Sequence, residues 1–110
     1  PRLNGRVIPG GADYAVTRPD GAAVVTAHYA LEADDGTPIY IVNEGIRTAA
    51  PEVVERLRAG QHVDPAEYYF RSVPTFDAPE GRHGWLSDHI FVAHCARFGP
   101  GVRIRVYLVV

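Results

Sequence analysis

Lysine is missing from this sequence: every one of the 11 residues in its Lys+Arg count is an arginine. A Schiff-base lysine, a pyridoxal-phosphate lysine and the lysine of a phosphate-binding loop are therefore excluded. A single cysteine, Cys95, allows no intramolecular disulfide. The N-terminus lacks the charged, apolar and small-residue regions of a secretory signal, so a reducing, cytoplasmic setting is expected. The sequence starts at Pro1 and has no methionine, as a processed or cut end would; Pro1 could act as a catalytic amine only if it were a true N-terminus. No stretch approaches the roughly 20 consecutive apolar residues of a membrane-spanning helix, and no membrane partner is expected. The formal net charge is -2, with acidic and basic residues interspersed. That leaves no basic field to attract nucleic acid. The five histidines, at 28, 62, 83, 89 and 94, form neither a His-x-His strand pair nor a helical His-x-x-x-His pair, so no metal site is predicted; no cofactor is expected either.

What remains is a chain of 110 residues, the size of one domain with one core, and 46% of it is hydrophobic. Pro9-Gly10-Gly11 reads as a turn that ends a strand over 3–8 and redirects the chain into a short strand over 12–18. Arg18-Pro19-Asp20-Gly21 is a second turn, with a preset φ at Pro, a capping Asp and a glycine for positive φ. Residues 22–31 and 39–42 flank Asp34-Asp35-Gly36 as a hairpin. Between Ala50 and Ala59 the period becomes helical, with Pro51 at the first position, Val53, Val54 and Leu57 on one face, and Gly60 as the stop. Residues 67–76 form a strand in which Pro74 belongs at an edge or bulge, and 77–84 form a loop. Residues 89–98 and 102–110 make a closing hairpin through Gly99-Pro100-Gly101. In its second strand Val102, Ile104, Val106 and Leu108 face one way and Arg103, Arg105 and Tyr107 the other. About seven strands with one short helix predict an all-β antiparallel up-and-down barrel, or a sandwich, with no internal domain boundary.

Parity along the strands then selects candidate site residues. With Glu44 in water, Ile39, Ile41 and Asn43 point inward, and with Leu31 inward Tyr29 joins them while His28 faces out. Asn43, just before Glu44-Gly45, is otherwise placed to bond the local backbone. On the strand with Pro74, Tyr69, Arg71, Val73 and Thr75 share one face, and Tyr68, Phe70, Ser72 and Phe76 the other; the pattern leaves open which is interior. An interior Arg71 would need a carboxylate, with Asp13 or Asp77 nearest by chain order, or a bound anion. Asp13 is either a turn cap or a general base. His94 is either a satisfied strand histidine or a proton shuttle in the cavity. Cys95 beside it must point to the opposite face and reads as packing. Trp85 reads as a core plug that, at a barrel mouth, can also stack on a ligand. A Ser-His-Asp triad built on Ser72 or Ser87 lacks a nucleophile elbow and is discounted.

The runs PGGADY at 9–14, DG at 20–21, HYAL at 28–31, DDG at 34–36, YYFRSVPTFD at 68–77 and GWLSDHIFVA at 84–93 resemble, in order and spacing, the DUF3237 (UPF0311) family of uncharacterised proteins. The resemblance implies a small antiparallel barrel of the lipocalin or streptavidin kind, found as an oligomer. It implies no established activity, only an association with cofactor-free cyclisation or isomerisation. Asp13, Tyr69, Arg71 and Trp85 match the family pattern, while Tyr14, His28, Asp88 and His94-Cys95 depart from it. Family members carry further N-terminal strands ahead of the residues matching Arg2-Leu3. Without them the barrel would be open, or its gap covered by a partner chain.

Three functions compete on these grounds. One is a cofactor-independent isomerase, cyclase or lyase for a small oxygenated metabolite, with Arg71 holding an anionic oxygen and Asp13 or His94 moving the proton. In that reading Tyr29, Asn43, Tyr69 and Trp85 contact the substrate. The second is a carrier of a hydrophobic small molecule. The third is a structural homo-oligomeric module with a filled core.

Overall fold

The computed structural model describes residues 3–99 and 101–110, so the readings made for Pro1 and Pro100 fall outside the described residues. Six strands, β1 (Gly5–Thr17), β2 (Ala23–Ala33), β3 (Pro38–Ala49), β4 (Tyr68–Asp77), β5 (Ile90–Phe98) and β6 (Gly101–Val109), form one sheet in chain order. Every neighbouring pair is antiparallel; short turns join β1–β2, β2–β3 and β5–β6, and longer connections with a helix or a 3-10 turn join β3–β4 and β4–β5. Among the described residues β1 and β6 do not pair, so the predicted barrel is present as an open, curled sheet rather than a closed one.

The expected seven strands become six because Pro9-Gly10-Gly11 does not turn the chain. Strand β1 runs through it, and the extra residues appear as a register shift between Ile8 and Ala12 opposite β2. A bulge absorbs residues that have no partner while the strand continues. The turn at Arg18–Gly21 forms as the sequence indicates: Gly21 has φ 89°, and Asp20 Oδ1 accepts from the backbone N–H of Ala22 at 3.1 Å. Strand β3 is longer than 39–42, so Asn43 lies mid-strand rather than at an end.

Helix α1 (Pro51–Arg58) begins at its predicted proline and buries Val53 and Leu57 against Tyr68, Phe70, Ala93 and Cys95. Full burial of a side chain such as Leu57 contributes about 1.5–3 kcal/mol. The Arg97 guanidinium donates to the Leu57 carbonyl at 2.9 Å, and the Arg97 backbone N–H donates to the Tyr68 hydroxyl, tying β5 to the helix end. At the other end of the sheet a 3-10 turn, Gly84–Asp88, packs Leu86 and Trp85 against Ile39, Ile41, Phe76 and Phe91. These two plugs cover the same face, which is therefore the interior. Pro74 sits two residues past the last β4–β5 pair, Ser72↔Ala93, so β4 has a neighbour there only on its β3 side, where Pro74 pairs with Asn43. No helix among the described residues is long and apolar enough to cross a membrane.

Candidate functional site

The cross-strand register decides which side chains meet. Asp13 stands opposite Ala27, Ala27 opposite Asn43, and Asn43 opposite Pro74, so these four share the inner face in one row. Tyr29 follows Ala27 by two residues and pairs with Ile41, which pairs with Phe76. Asp13, Tyr29 and Asn43 thus surround Ala27, whose methyl group leaves space between them.

Gly11 holds Tyr29 in place. A Cβ on Gly11 would lie 2.8 Å from the Tyr29 Cβ, so only glycine allows the bulged strand to pass this close. Burial pushes the Tyr29 phenol above its usual pKa, and Cys95 and Asp13 add to the effect, because a phenolate near other negative groups is disfavoured. The hydroxyl is therefore kept as a neutral donor. Asn43 is 6% exposed, and its Oδ1 has no hydrogen-bond partner among the described residues. The local backbone bond expected for this side chain is not made. Deeper along the same face, Ser72 Oγ and Cys95 Sγ lie 3.3 Å apart.

Next to these groups is a cavity of about 520 Å³ whose walls include Tyr29, Leu31, Ile41, Pro74, Phe76, Trp85 and Phe91, with Val102, Ile104 and Val106 from β6. The side chains that line it are mainly aliphatic and aromatic. Trp85 lines it with its ring centroid 5.9 Å from that of Phe91, so the Gly84–Asp88 turn forms part of the cavity wall.

Arg71, His94 and Tyr69 are elsewhere. Tyr68, Phe70, Ser72, Pro74 and Phe76 are the buried residues of β4, on the face covered by α1 and by the Gly84–Asp88 turn, so Tyr69 and Arg71 are turned to the outer face. His94 pairs with Arg71 and shares that face, while Cys95 points inward. The fold therefore brings Asp13, Tyr29, Asn43 and Trp85 to one side of the sheet and Tyr69, Arg71 and His94 to the other. A cavity holding Arg71, Asp13 and His94 together is not formed. The outer three residues line a separate groove of about 590 Å³ with Glu44 and Tyr107.

Residue patterning gave no sign of a further polar contact. His83, 4% exposed, meets Asp35 with 3.1 Å between Nε2 and Oδ2, pinning the 77–84 loop to the β2–β3 turn. Ser87 Oγ likewise accepts from the Ala78 N–H at 2.9 Å.

A family model described as "Protein of unknown function (DUF3237)" matches residues 1–109. The chain belongs to the DUF3237 family. Its relatives include the UPF0311 protein of Clostridium acetobutylicum, 44% identical over 105 residues that cover 96% of this chain and 66% of that protein. The UPF0311 protein of Bradyrhizobium diazoefficiens is 41% identical, over 97% of this chain and 70% of its own length. Among solved structures, a conserved protein of unknown function from Rhodopseudomonas palustris superposes with a TM-score of 0.94 at 38% identity, covering 98% of this chain and 72% of that one. A protein from Acinetobacter baumannii described as β-barrel like gives 0.81 at 32% identity, over 98% and 69% of the two chains. This DUF3237 chain thus spans about two thirds of the length of the relatives it matches. The DUF3237 fold is the barrel-like meander described above, and the family's name assigns it no activity.

Proposed function

We propose that the inner face of the sheet binds a small, largely apolar molecule that carries a hydrogen-bond donor at one end. The observation that carries this reading is the Asn43 Oδ1, a buried acceptor without a partner among the described residues, in the row that runs to Pro74 on the cavity wall. An unsatisfied buried polar atom costs about 1–3 kcal/mol, and a donor on a ligand offsets that cost. The apolar walls supply the binding area and the polar end supplies orientation, the usual division of labour in a small-molecule site.

A second reading follows from Asp13 and Tyr29. A carboxylate beside a neutral phenol on one face can take a proton from carbon next to a carbonyl while the phenol donates to the developing enolate oxygen. Such a reaction needs no cofactor, and burial, which raises the Tyr29 pKa, keeps the phenol in its neutral, hydrogen-bond-donating form. Arg71 and His94 have no part in it.

Native mass spectrometry of the purified chain tests the binding reading. The expected result is a small non-covalent adduct on the wild type that is missing from Ile104→Arg, which places a charge in the cavity from a position 37% exposed and so compatible with folding. An adduct retained unchanged by folded Ile104→Arg would place the ligand elsewhere and overturn the proposal.

A further inference from the structure

The register aligns three groups able to carry positive charge on the outer face. Arg71 stands opposite His94, and His94 opposite Arg105, so the three lie on adjacent strands in one row. Like charges placed directly across a ladder disfavour the pairing. Among the described residues no carboxylate lies within ion-pair distance of Arg71, His94 or Arg105; the ion pairs that form use Arg6, Arg18, Arg56, Arg58, Arg82 and His83. Arg71 spends one donor on the Phe70 carbonyl at 2.9 Å and lies with its guanidinium carbon 5.1 Å from the Tyr69 ring centre. Its remaining N–H groups make no other hydrogen bond among the described residues.

A groove of about 590 Å³ opens beside this row. The β4–β5 ladder consists of only two pairs, Arg71↔His94 and Ser72↔Ala93, so the strands part on both sides and the surface between them is recessed. Tyr69 and Tyr107, each 53% exposed, line the groove with Val73 and Val92, giving aromatic and aliphatic surface next to the charge. Glu44 also lines it, and its carboxylate repels any anion, a multiply charged one more strongly than a singly charged one.

We propose that this outer groove is an anion site for a singly charged aromatic carboxylate. Arg71 binds the carboxylate through its free N–H groups, His94 and Arg105 reinforce it, and the tyrosines stack on the ring. The site is separate from the inner cavity and does not depend on that cavity having a ligand.

NMR titration with benzoate, benzamide and inorganic phosphate tests it. Benzoate is expected to saturate and to shift the His94 ring and the Tyr69 and Tyr107 rings. Benzamide, its neutral counterpart, and phosphate, with its larger charge, are expected to bind at least tenfold more weakly. Arg71→Gln, at an outward-facing position, is expected to weaken benzoate tenfold or more with the fold intact, Glu44→Gln to tighten it, and Ile104→Arg to leave it unchanged. Equal binding of benzoate and benzamide, or benzoate binding that survives Arg71→Gln, would overturn the proposal. So would the absence of benzoate binding together with a concentration-dependent dimer that Arg71→Gln disrupts, because the groove would then be a contact between copies.

Discussion

Asp35 and His83 are 48 positions apart in the chain and meet with 3.1 Å between Oδ2 and Nε2, closing the 77–84 loop over the β2–β3 turn. Asp35 also accepts from the Thr37 N–H at 3.0 Å. The hydrogen bonds with Thr37 first, and His83 after them, lower the Asp35 pKa from 3.8 to about 2. A carboxyl group whose folded pKa is depressed stabilises the fold above its unfolded pKa and loses that contribution as pH falls through the folded value. Stability from Asp35 should therefore be complete above about pH 4 and disappear between there and about pH 2. Urea unfolding at a series of pH values checks this: Asp35→Asn should be less stable than wild type at neutral pH, and the difference should shrink across that acid window.

Asn43→Leu should separate stability from binding. Replacing an unsatisfied buried amide with an apolar side chain of similar size should stabilise the chain by about 1 kcal/mol. The same substitution removes the acceptor and should weaken a donor-bearing ligand by up to about tenfold, the equivalent of one hydrogen bond. Thermal unfolding with and without ligand reads both effects.

Leu57→Ala should cost about 2–5 kcal/mol, because Leu57 is 1% exposed and fills the contact between α1 and β4. Arg97→Ala should cost about 0.3–1 kcal/mol through loss of the cationic hydrogen bond to the last turn of α1. Denaturant titration distinguishes the two, and the larger loss is expected to come with reduced helical circular dichroism.

The elements that the sequence made legible are those with local causes. Asp34-Asp35-Gly36 makes the β2–β3 hairpin through a glycine with φ 85°, Pro51 starts α1, and alternation places Tyr29 and Asn43 inward. Pro9-Gly10-Gly11 misled because the same residues serve a turn or a bulge, and the choice is made by pairing with β2 rather than by the residues themselves. The face of β4 was undecidable for a related reason. Tyr68, Phe70 and Phe76 on one side and Tyr69 and Val73 on the other are nearly matched in apolar character, and the contact with α1 breaks the tie. Arg71 and His94 consequently left the cavity that their chemistry had suggested. The Asp35–His83 contact had no local signal at all, since two separate turns have to fold before it exists.

Trp85 is the single tryptophan of the chain and lines the inner cavity, so it is the one indole donor and lies beside the proposed ligand. The most direct measurement is energy transfer from Trp85 to the neutral probe N-phenylnaphthylamine, which has an apolar body and one N–H donor. Saturable transfer is predicted for the wild type, weakened by Asn43→Leu and abolished by Ile104→Arg while Arg71→Gln leaves it unchanged. Transfer that fails to saturate, or that persists undiminished in Ile104→Arg, would contradict an inner face built to hold a small molecule.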